Sequence, residues 1–572
     1  MFSRSAKFLI FILFSVSIVS AQKKSFFPYN PSSGITVGYS YAFENFQRHL
    51  VVKYEFDNTT SEKKVWRISL TVPNYYKGAN YERDFPVEAR SKAVFEEYYD
   101  IGNTNSYQFN LDITGYGFVS NPQPIIKDNY YRRADKEYLG FSEGLEQYFN
   151  PYQKEERDYS VKNKTYEDVS FVKFNPALLP TKYQGFLDYR YLFFDSSEIY
   201  NLTVEQKTAI KKWVMQGGEL FIFNAQNNQF FCDEGESKVQ KKKSIYLRFC
   251  DQQLGRVNFH EESPDYSLEN YIETSASTDI NKIIETIGEK LPKLDINIML
   301  VLIIVGIYGV VVGPINILFL ARKKRLMLYV TTPIISAAAS ILLAISIILG
   351  DGFGLYGERL SIVFLNSKNF YYQIKQYQGY KSGILFNANF LLNGDDRFAI
   401  LDQEYRKETY NPKQASINVV NNEVSGDSFL SRNVGIQSLT GERSTRYKIT
   451  DTGSEIISDL PVKIDELFVF YNTESGYYYN KLYRDILPGV PVKRVPVKIS
   501  SDITPSTDQY KEFDKIWRLA GAAYHINIPR EGSSFYIAKI KSPSSEFFIP
   551  TLSDAKWSDS LVIIGKFDGS SN

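Results

Sequence analysis

Few side chains in this chain could act as a nucleophile with a base beside it. The sequence contains two cysteines, Cys232 and Cys250, and three histidines, His49, His260 and His525. Thiol catalysis requires a cysteine on a strand-to-helix elbow and a histidine with a carboxylate to activate it. The cysteines lie in FFCDEGES and LRFCDQQ, where neither is flanked by the glycines of such an elbow. The sequence therefore predicts no catalytic residues and no thiol or amidotransferase chemistry.

His260 is the histidine nearest to a predicted α/β region, and Glu261 and Glu262 follow it directly. These carboxylates could orient an imidazole ring for acid–base catalysis. A surface histidine beside acidic residues is the simpler interpretation, and it is the one we adopt. The sequence also offers no metal-ligand cluster and no phosphate-binding loop, so we predict no metal site and no cofactor.

Polar side chains at the ends of two predicted strands form the candidate ligand site. Asp195, Ser196 and Ser197 follow one strand, and Asn224 and Gln226 follow its neighbour. Ligands of open α/β sheets bind in the crevice beyond the carboxyl ends of the strands. Polar residues are also ordinary in any loop. The sequence thus predicts a candidate small-ligand crevice at these five residues.

The two strands that precede these residues belong to a βαβ unit. YLFFD (191–195) and ELFIFNA (219–225) flank an amphipathic helix over Thr203–Gln216. Thr203 and Gln206 form a capping box, and a Gly-Gly pair ends the helix. A strand, a helix and a second strand of this kind require parallel pairing and a right-handed crossover.

Two more runs extend this region. GFVSN (117–121) and VSFVKFN (169–175) are rich in apolar residues and are predicted to be further strands of the same sheet. We therefore predict an α/β domain of flavodoxin-like type over residues 116–277.

Two apolar runs, Ile296–Leu320 and Leu326–Leu349, each exceed the ~20 residues that a helix needs to cross a ~30 Å hydrocarbon core. Backbone groups in lipid must be satisfied within the chain, so two adjacent runs predict two antiparallel helices. We predict a transmembrane hairpin over residues 295–350. The turn between the runs is basic and consists of Arg322, Lys323, Lys324 and Arg325.

The N-terminus has the features of a secretory signal peptide. Arg4 and Lys7 precede an apolar segment, and small residues end at Ala21, so residues 1–21 are predicted to be cleaved. Export of the following region makes the basic turn of the hairpin cytoplasmic, as the positive-inside rule requires. We predict an integral protein of the cytoplasmic (inner) membrane with both large regions in the periplasm.

An oxidising compartment changes what the cysteines are expected to do. Because Cys232 and Cys250 are even in number and both lie in the exported half, we predict that they form a disulfide. Two unpaired buried thiols are the alternative.

The predicted hairpin carries small and polar residues that favour a packed unit. Small residues let helix backbones approach, and prolines at matched depth would bend both helices together. The residues expected at the helix interface are Gly309, Gly313, Pro314, Asn316, Thr331, Pro333, Ser336, Ser340 and Ala344. The alternative is that small residues are simply common in membrane helices.

The rest of the chain has the alternating apolar pattern of β-strands. Residues 22–115 contain runs such as HLVVKYEF and VWRISLTV between turn residues, and they predict an immunoglobulin-like β-sandwich. Residues 351–572 repeat the pattern and add one amphipathic helix, Asp508–Tyr524, which predicts a β-sandwich with a packed helix. Residues 278–294 predict a juxtamembrane helix.

The segment LPTKYQGFLDYRYLFFDSSEIYNLTVEQKTAIKKWVMQGGELFIFNAQ resembles the class I glutamine amidotransferase-like domain of bacterial envelope proteins. In that family a strand, a Leu-Thr…Gln helix and Trp-Val…Gly-Gly occur in this order. The segment LPKLDINIMLVLIIVGIYGVVVGPINILFLARKKRLMLYVTTP is similar to a membrane hairpin with Gly-Pro, a basic turn and Pro. The preceding sandwich and LPGVPVKRVPV in the C-terminal domain extend the likeness. The resemblance implies this multidomain membrane architecture, with an amidotransferase-like domain that lacks catalytic residues, and it implies no activity.

Composition bears on partners and function. A formal net charge of +1 argues against a nucleic-acid partner, and aromatic residues, 15% of the chain, are expected to fill the faces of strands. We predict a non-enzymatic envelope protein that contacts the lipid bilayer and other envelope or membrane proteins as a scaffold, sensor or accessory subunit. An extracytoplasmic hydrolase that uses carboxylates alone and a glycan-binding protein are the alternatives.

Overall fold

The chain is described by a computed structural model in which β-sheet predominates. The described residues are 25–26, 35–41, 43, 49–72, 79–101, 108–115, 118–119, 123–126, 137–149, 169–225, 230–232, 238–242, 245–253, 255–260, 287, 298–320, 328–351, 355–382, 389–401, 417–426, 434–473, 476–493, 534–553 and 555–567.

Strands occur in three regions of the chain. The N-terminal region contains β1 (Ser25–Phe26), β2 (Ile35–Tyr41), β3 (His49–Asn58), β4 (Lys64–Val72), β5 (Ala79–Val87), β6 (Ser91–Asp100), β7 (Gln108–Gly115), β8 (Phe118–Val119) and β9 (Gln123–Ile126). The middle region contains β10 (Glu137–Ser142), β11 (Val169–Phe174), β12 (Tyr189–Asp195), β13 (Glu219–Phe223), β14 (Lys238–Lys242), β15 (Ile245–Gln252) and β16 (Gly255–Phe259). The C-terminal region contains β17 (Leu355–Asn366), β18 (Tyr371–Ser382), β19 (Phe390–Leu391), β20 (Arg397–Leu401), β21 (Ile417–Val420), β22 (Glu423–Gly426), β23 (Val434–Ser444), β24 (Ile449–Asp451), β25 (Glu455–Ser458), β26 (Ile464–Thr473), β27 (Gly476–Ile486), β28 (Val492–Lys493), β29 (Ser534–Ile540) and β30 (Ala555–Lys566).

The helices that the structure describes from end to end belong to two parts of the chain. The middle region has α1 (Ser196–Tyr200) and α2 (Val204–Met215), and the apolar part has α3 (Ile298–Val310), which continues as a π-helix (Val311–Leu320), and α4 (Leu328–Asp351). Short 3₁₀ turns lie at Glu143–Leu145, Pro176–Leu178, Tyr183–Phe186 and Ser545–Phe547.

The N-terminal region consists of two packed sheets, as the alternating runs predict. One sheet has the order β1-β2-β3-β6, and the other contains β5-β4-β7-β8, with β9 beside β7. Tyr54 and Phe56 of β3 and Trp66 and Ile68 of β4 are buried in one shared core. The predicted strands therefore occur, and inward-facing residues of both sheets fill the space between them.

A strand from the C-terminal region completes the second of these sheets. β21 pairs in parallel with β5, with Ile417 opposite Ala79 and Val420 opposite Glu82. β22 and β19 then extend the sheet beyond β21. We call it the shared sheet, because it joins segments more than 300 residues apart, which no local pattern in the sequence announces.

The middle region contains the parallel sheet that the βαβ pattern predicts. Its order is β11-β10-β12-β13-β16-β15-β14, and β15, antiparallel to both β16 and β14, is the strand that runs opposite to the others. β12 and β13 are parallel neighbours joined through α2. Thr203 caps α2 in a capping box with Gln206, as expected. Gly217, at φ +117°, lies just past the helix, where a left-handed residue favours glycine.

One predicted strand of this sheet lies elsewhere. GFVSN (117–121) was expected in the α/β sheet, but Phe118 and Val119 form β8, which pairs with β7 in the shared sheet. VSFVKFN (169–175) does belong to the parallel sheet as β11. An apolar run of this length does not specify its partner strand, and the short connection to β7 favours a hairpin.

The C-terminal region forms one large sheet and one small sheet. The large sheet has the order β20-β23-β18-β17-β30-β29-β26-β27, in which only β17 and β30 pair in parallel. The small sheet, β24-β25-β28, buries Ile449 and Ile456 in the same core as Val363 and Ile563 of the large sheet. The expected β-rich domain is therefore present.

The apolar segments form two helices that contact each other. Among the described residues, Val301–Leu318 is the helical stretch that is long and apolar enough to cross a membrane, and the apolar part of α4, Leu328–Leu343, is shorter. Asn316, fully buried in the π-helix, donates to Thr332 Oγ1 (3.0 Å) and accepts from Thr331 Oγ1 (2.7 Å). Tyr308 and Ser336 hydroxyls are 3.0 Å apart.

This contact uses only part of the predicted helix interface. Asn316, Thr331 and Ser336 lie in it, but an added Cβ at Gly309 or Gly313 would meet nothing within 4 Å. Pro314, Pro333 and Ser340 are exposed. The expected small-residue face is therefore wrong at these positions, because polar pairs rather than glycines set the rotation of the two helices.

Several expectations lie outside the described residues. They are the signal peptide, the juxtamembrane helix apart from Ile287, the basic turn Arg322–Arg325, the C-terminal helix Asp508–Tyr524, Gln226 and the side chain of Ala344.

Candidate functional site

The carboxyl ends of β12 and β13 bring four of the five predicted crevice residues together. Asp195 Oδ2 accepts from Asn224 Nδ2 (2.6 Å), and Ser196 Oγ donates to the Asn224 carbonyl (2.7 Å). Asp195 Oδ1 accepts from the Ser197 amide (2.9 Å) and from its hydroxyl (2.5 Å). Neighbouring β10 adds Ser142, whose hydroxyl accepts from the Asp195 amide (3.3 Å).

These polar groups are bonded to one another. Asp195 is the N-cap of α1, a role that commonly falls to Asp at a strand-to-helix turn. Burial by itself would raise the pKa of Asp195, but hydrogen bonds from Ser197 and Asn224 lower it below the ordinary value. Asn224 has φ +56°, so its backbone is held in a left-handed turn. The arrangement stabilises an ionised cap, and a ligand here would have to replace these bonds.

The cysteines form the predicted disulfide. Cys232 and Cys250 are bonded across 18 residues, with their Cα atoms 6.0 Å apart. Cys250 is fully buried in the core beside the parallel sheet, and Cys232 is nearly so. The bridge ties the antiparallel strand β15 to the segment that follows β13.

His260 is buried, so the expected surface position is wrong. It follows β16, where its amide donates to the Ile222 carbonyl (2.9 Å) and its ring stacks on Phe223 (4.8 Å between centroids). Burial lowers the pKa of His260 to about 4. The acidic residues after His260 suggested a surface position. His260 instead directly follows β16, a strand of the parallel part of the sheet, and parallel sheets are covered on both faces.

A second histidine lies at a junction that the sequence did not indicate. His49, at the start of β3, is 5% exposed, and its Nδ1 is 2.7 Å from Asp188 Oδ1. Its amide donates to Asp188 Oδ2 (2.8 Å), and its Nε2 lies 3.8 Å from Asp100 Oδ2. The ring also stacks on Tyr98 (5.6 Å). This group, the His49 junction, joins the N-terminal sandwich to the middle region through buried polar contacts.

A small open cleft is lined in part by Asp100. Glu97 is its central charge, since Glu97 Oε1 is 3.2 Å from Arg83 Nη1 and 3.5 Å from Arg397 Nη2. Tyr81 donates to the carbonyls of Asp100 (2.9 Å) and Phe398 (3.3 Å). The cleft is thus lined by both the N-terminal sandwich and the C-terminal region.

Charged residues near this cleft are paired both within the C-terminal region and across regions of the chain. Within the C-terminal region, Arg443 donates two hydrogen bonds to buried Asp396 (2.7 and 2.6 Å). Lys182 of the middle region pairs with Asp395 (2.6 Å), and this pairing holds the pKa of Asp395 below its ordinary value. Carboxylates engaged in this way hold neighbouring regions of the chain in place. Among the described residues, no group of three or more Asp, Glu, His or Cys side chains is arranged to hold a metal ion.

Comparisons with known proteins leave the site's function open. No known protein family matches the sequence. No curated protein matches it either. Among solved structures, a calcium-binding mutant of Bacteroides uniformis beta-glucuronidase 2 matches with a TM-score of 0.13 and 9% identity, over 36% of this chain and 26% of that chain. A match at that level carries no argument about fold or activity.

Proposed function

We propose that this protein is a membrane-anchored, non-enzymatic envelope protein whose exported regions form one rigid body that supports protein partners. The observation that carries the proposal is the pairing of β21 with β5 in the shared sheet. A sheet built from distant segments cannot be separated without breaking its ladder. Such construction suits a scaffold or accessory subunit, which must keep its surfaces at fixed positions.

Ion pairs between regions support the same interpretation. Glu97 of the N-terminal sandwich pairs with Arg397 of the C-terminal region (3.5 Å), and the partly exposed Lys212 of α2 pairs with Glu442 of β23 (2.6 Å). Losing one partner of a buried pair leaves an uncompensated charge, so the Glu97–Arg397 pair disfavours a shifted arrangement. Three regions linked in this way would move together.

The anchor in this proposal is the helix pair. Val301–Leu318 supplies one crossing, and α4 would return through the bilayer, with Asn316 satisfied by Thr331 and Thr332. A polar residue that bonds to the neighbouring helix within lipid favours a two-helix unit over two separate tethers. Export of the N-terminal region would then place both large regions in the periplasm.

The aromatic residues support contact through protein surfaces over glycan stacking. Most described Tyr and Phe side chains are buried, and Tyr54, Tyr189, Tyr191 and Tyr377 are among the largest fully buried ones. Lone exposed rings such as Phe370 do not form a stacking platform.

Co-purification tests the proposal. The tagged full-length protein is isolated from native membranes in mild detergent after brief crosslinking, and an unrelated protein on a two-helix anchor with the same tag is the control. We expect at least one envelope or membrane protein to be enriched at constant stoichiometry over the control. Turnover of an isolated envelope polymer by the purified protein, or the absence of any enriched partner, would overturn the proposal.

A further inference from the structure

The sulfur of Met215 lies in an unusually polar cradle. Met215 is the last residue of α2, is 5% exposed, and packs against the turn between β17 and β18. The amide nitrogens of Asn366 and Asn369 are each 3.4 Å from its sulfur, and the Tyr371 hydroxyl is 3.7 Å away. Three donors of the C-terminal region therefore point at one thioether of the middle region.

The orientation of this cradle is fixed by other contacts. Asn366 is fully buried, and its Oδ1 accepts from the Asn369 amide (3.1 Å), so its NH₂ end must face the sulfur. Lys212, one turn before Met215, lies over the Tyr371 ring (5.2 Å) and pairs with Glu442 at the rim. Asn366 cannot turn away without breaking its bond with the backbone amide of Asn369, whereas the side chain of Asn369 is exposed.

A thioether is a poor match for such donors. Methionine sulfur is only a weak acceptor, so a buried donor such as Asn366 gains little from it. A sulfoxide oxygen on the same sulfur would be a strong acceptor within reach of these donors. The cradle is thus better matched to oxidised methionine than to methionine.

We propose that Met215 is a reversible oxidation site that tightens the contact between α2 and the large C-terminal sheet. A peroxide supplies the oxygen. A sulfur lone pair forms the S–O bond, the O–O bond breaks, and the second oxygen leaves as water after a proton transfer. Sulfur is oxidised by two electrons and the peroxide is reduced. Thiol-dependent methionine sulfoxide reduction restores the thioether.

The chain makes this site easy to assign. It contains four methionines, and the other three, Met1, Met299 and Met327, lie in the predicted signal peptide or in the apolar helical segments. Met215 is thus the methionine of the predicted periplasmic regions. Its oxidation can be followed by the mass of one oxygen atom on a single peptide.

The test exposes the purified full-length protein in mild detergent to dilute hydrogen peroxide. Peptide mass analysis measures oxygen at Met215, and hydrogen exchange measures opening of the turn between β17 and β18. We expect Met215 to be oxidised in the folded protein and exchange in this turn to slow roughly three- to tenfold. Unchanged or faster exchange after oxidation, or no oxidation before unfolding, would overturn the proposal.

Two variants separate a specific effect from general stiffening. Met215→Leu keeps the volume but cannot be oxidised, so peroxide should leave its exchange unchanged. Asn369→Ala removes one donor, and its Met215 should still be oxidised while the slowing shrinks. If Met215→Leu does not fold, Met215→Gln serves instead. Its amide oxygen is an acceptor for the cradle, so hydrogen exchange in the turn between β17 and β18 should be slow without peroxide. If peroxide slowed this exchange in either Met215 variant, a role for Met215 would be contradicted.

Discussion

Single buried side chains carry much of what is specific to this molecule. His260 and His49 are both buried, yet one stacks on aromatic rings beside the parallel sheet and the other sits between two carboxylates. The difference decides the structural role of each ring. A histidine in an apolar site resists protonation, whereas a histidine between carboxylates joins two parts of the chain.

The buried position of His260 predicts that the folded protein loses stability at acidic pH. Because burial lowers its folded pKa to about 4, the unfolded chain binds more protons than the folded chain between that pH and the ordinary value near 6.5. The contribution of neutral His260 to the free energy of unfolding is therefore fully present above pH ~6.5. It is lost as the pH falls toward 4, and the loss amounts to roughly 3 kcal/mol. We expect urea unfolding to show this loss in the wild type and a smaller loss in His260→Phe. An equal pH dependence in both proteins would show that other groups control it.

Residue patterns predict where a helix or strand lies in the sequence, but they only partly predict which of its faces contacts a neighbour. In the apolar helices, the bonds from Asn316 to Thr331 and Thr332 place these residues at the contact, and Gly309 faces away. In the middle region, the capping box at Thr203 matched the structure because it is a local motif. A local motif such as a capping box determines the residue at which a helix begins. The rotation of the helix about its own axis depends on the element that packs against it.

Engineered disulfides check the rotation of the two apolar helices. Cysteines replacing Asn316 and Thr331, whose short side chains are joined by a 2.7 Å hydrogen bond, should crosslink readily under mild oxidation. Cysteines replacing Gly309 and Ala338 should not, because both positions are exposed on the outer faces of the pair. Gel mobility before and after reduction measures the fraction linked. Efficient linkage of the second pair alone would restore the glycine face as the contact.

Contacts between regions that are distant in the sequence hold the whole molecule together. The His49 junction, the Glu97 pairs and the shared sheet connect regions that are separate in the sequence. Since each buried charge at such a contact relies on a partner from another region, loss of one partner should weaken the whole body more than loss of a surface charge.

Asp188→Ala tests the His49 junction. It removes the carboxylate that accepts from the His49 ring and amide, and we expect a loss of about 3–5 kcal/mol in unfolding free energy. Asp57→Ala, which breaks an exposed pair with Lys92, is the matched control and should cost at most about 1 kcal/mol. Denaturant unfolding followed by tryptophan fluorescence gives both values. If both variants lost a similarly small amount of unfolding free energy, the His49 junction would not contribute strongly to the stability of the molecule.

Elements with strong local signals could be predicted from the amino-acid sequence. The βαβ unit around α2, the strands β3 and β4, the apolar helices and the disulfide pair all follow from periodicity, capping, length or the presence of two cysteines. Four polar residues of the predicted crevice also meet, because parallel strands end at one edge.

The combination of distant segments, in contrast, is visible only in the folded molecule. β8 joins the shared sheet instead of the parallel one, β21 pairs with β5, and Asp188 meets His49 across 139 residues. Strand pairing and buried charge partners depend on long-range geometry, and a period-2 pattern is the same whichever strand lies beside it. The Met215 cradle has the same origin, since its three donors lie more than 150 residues along the chain.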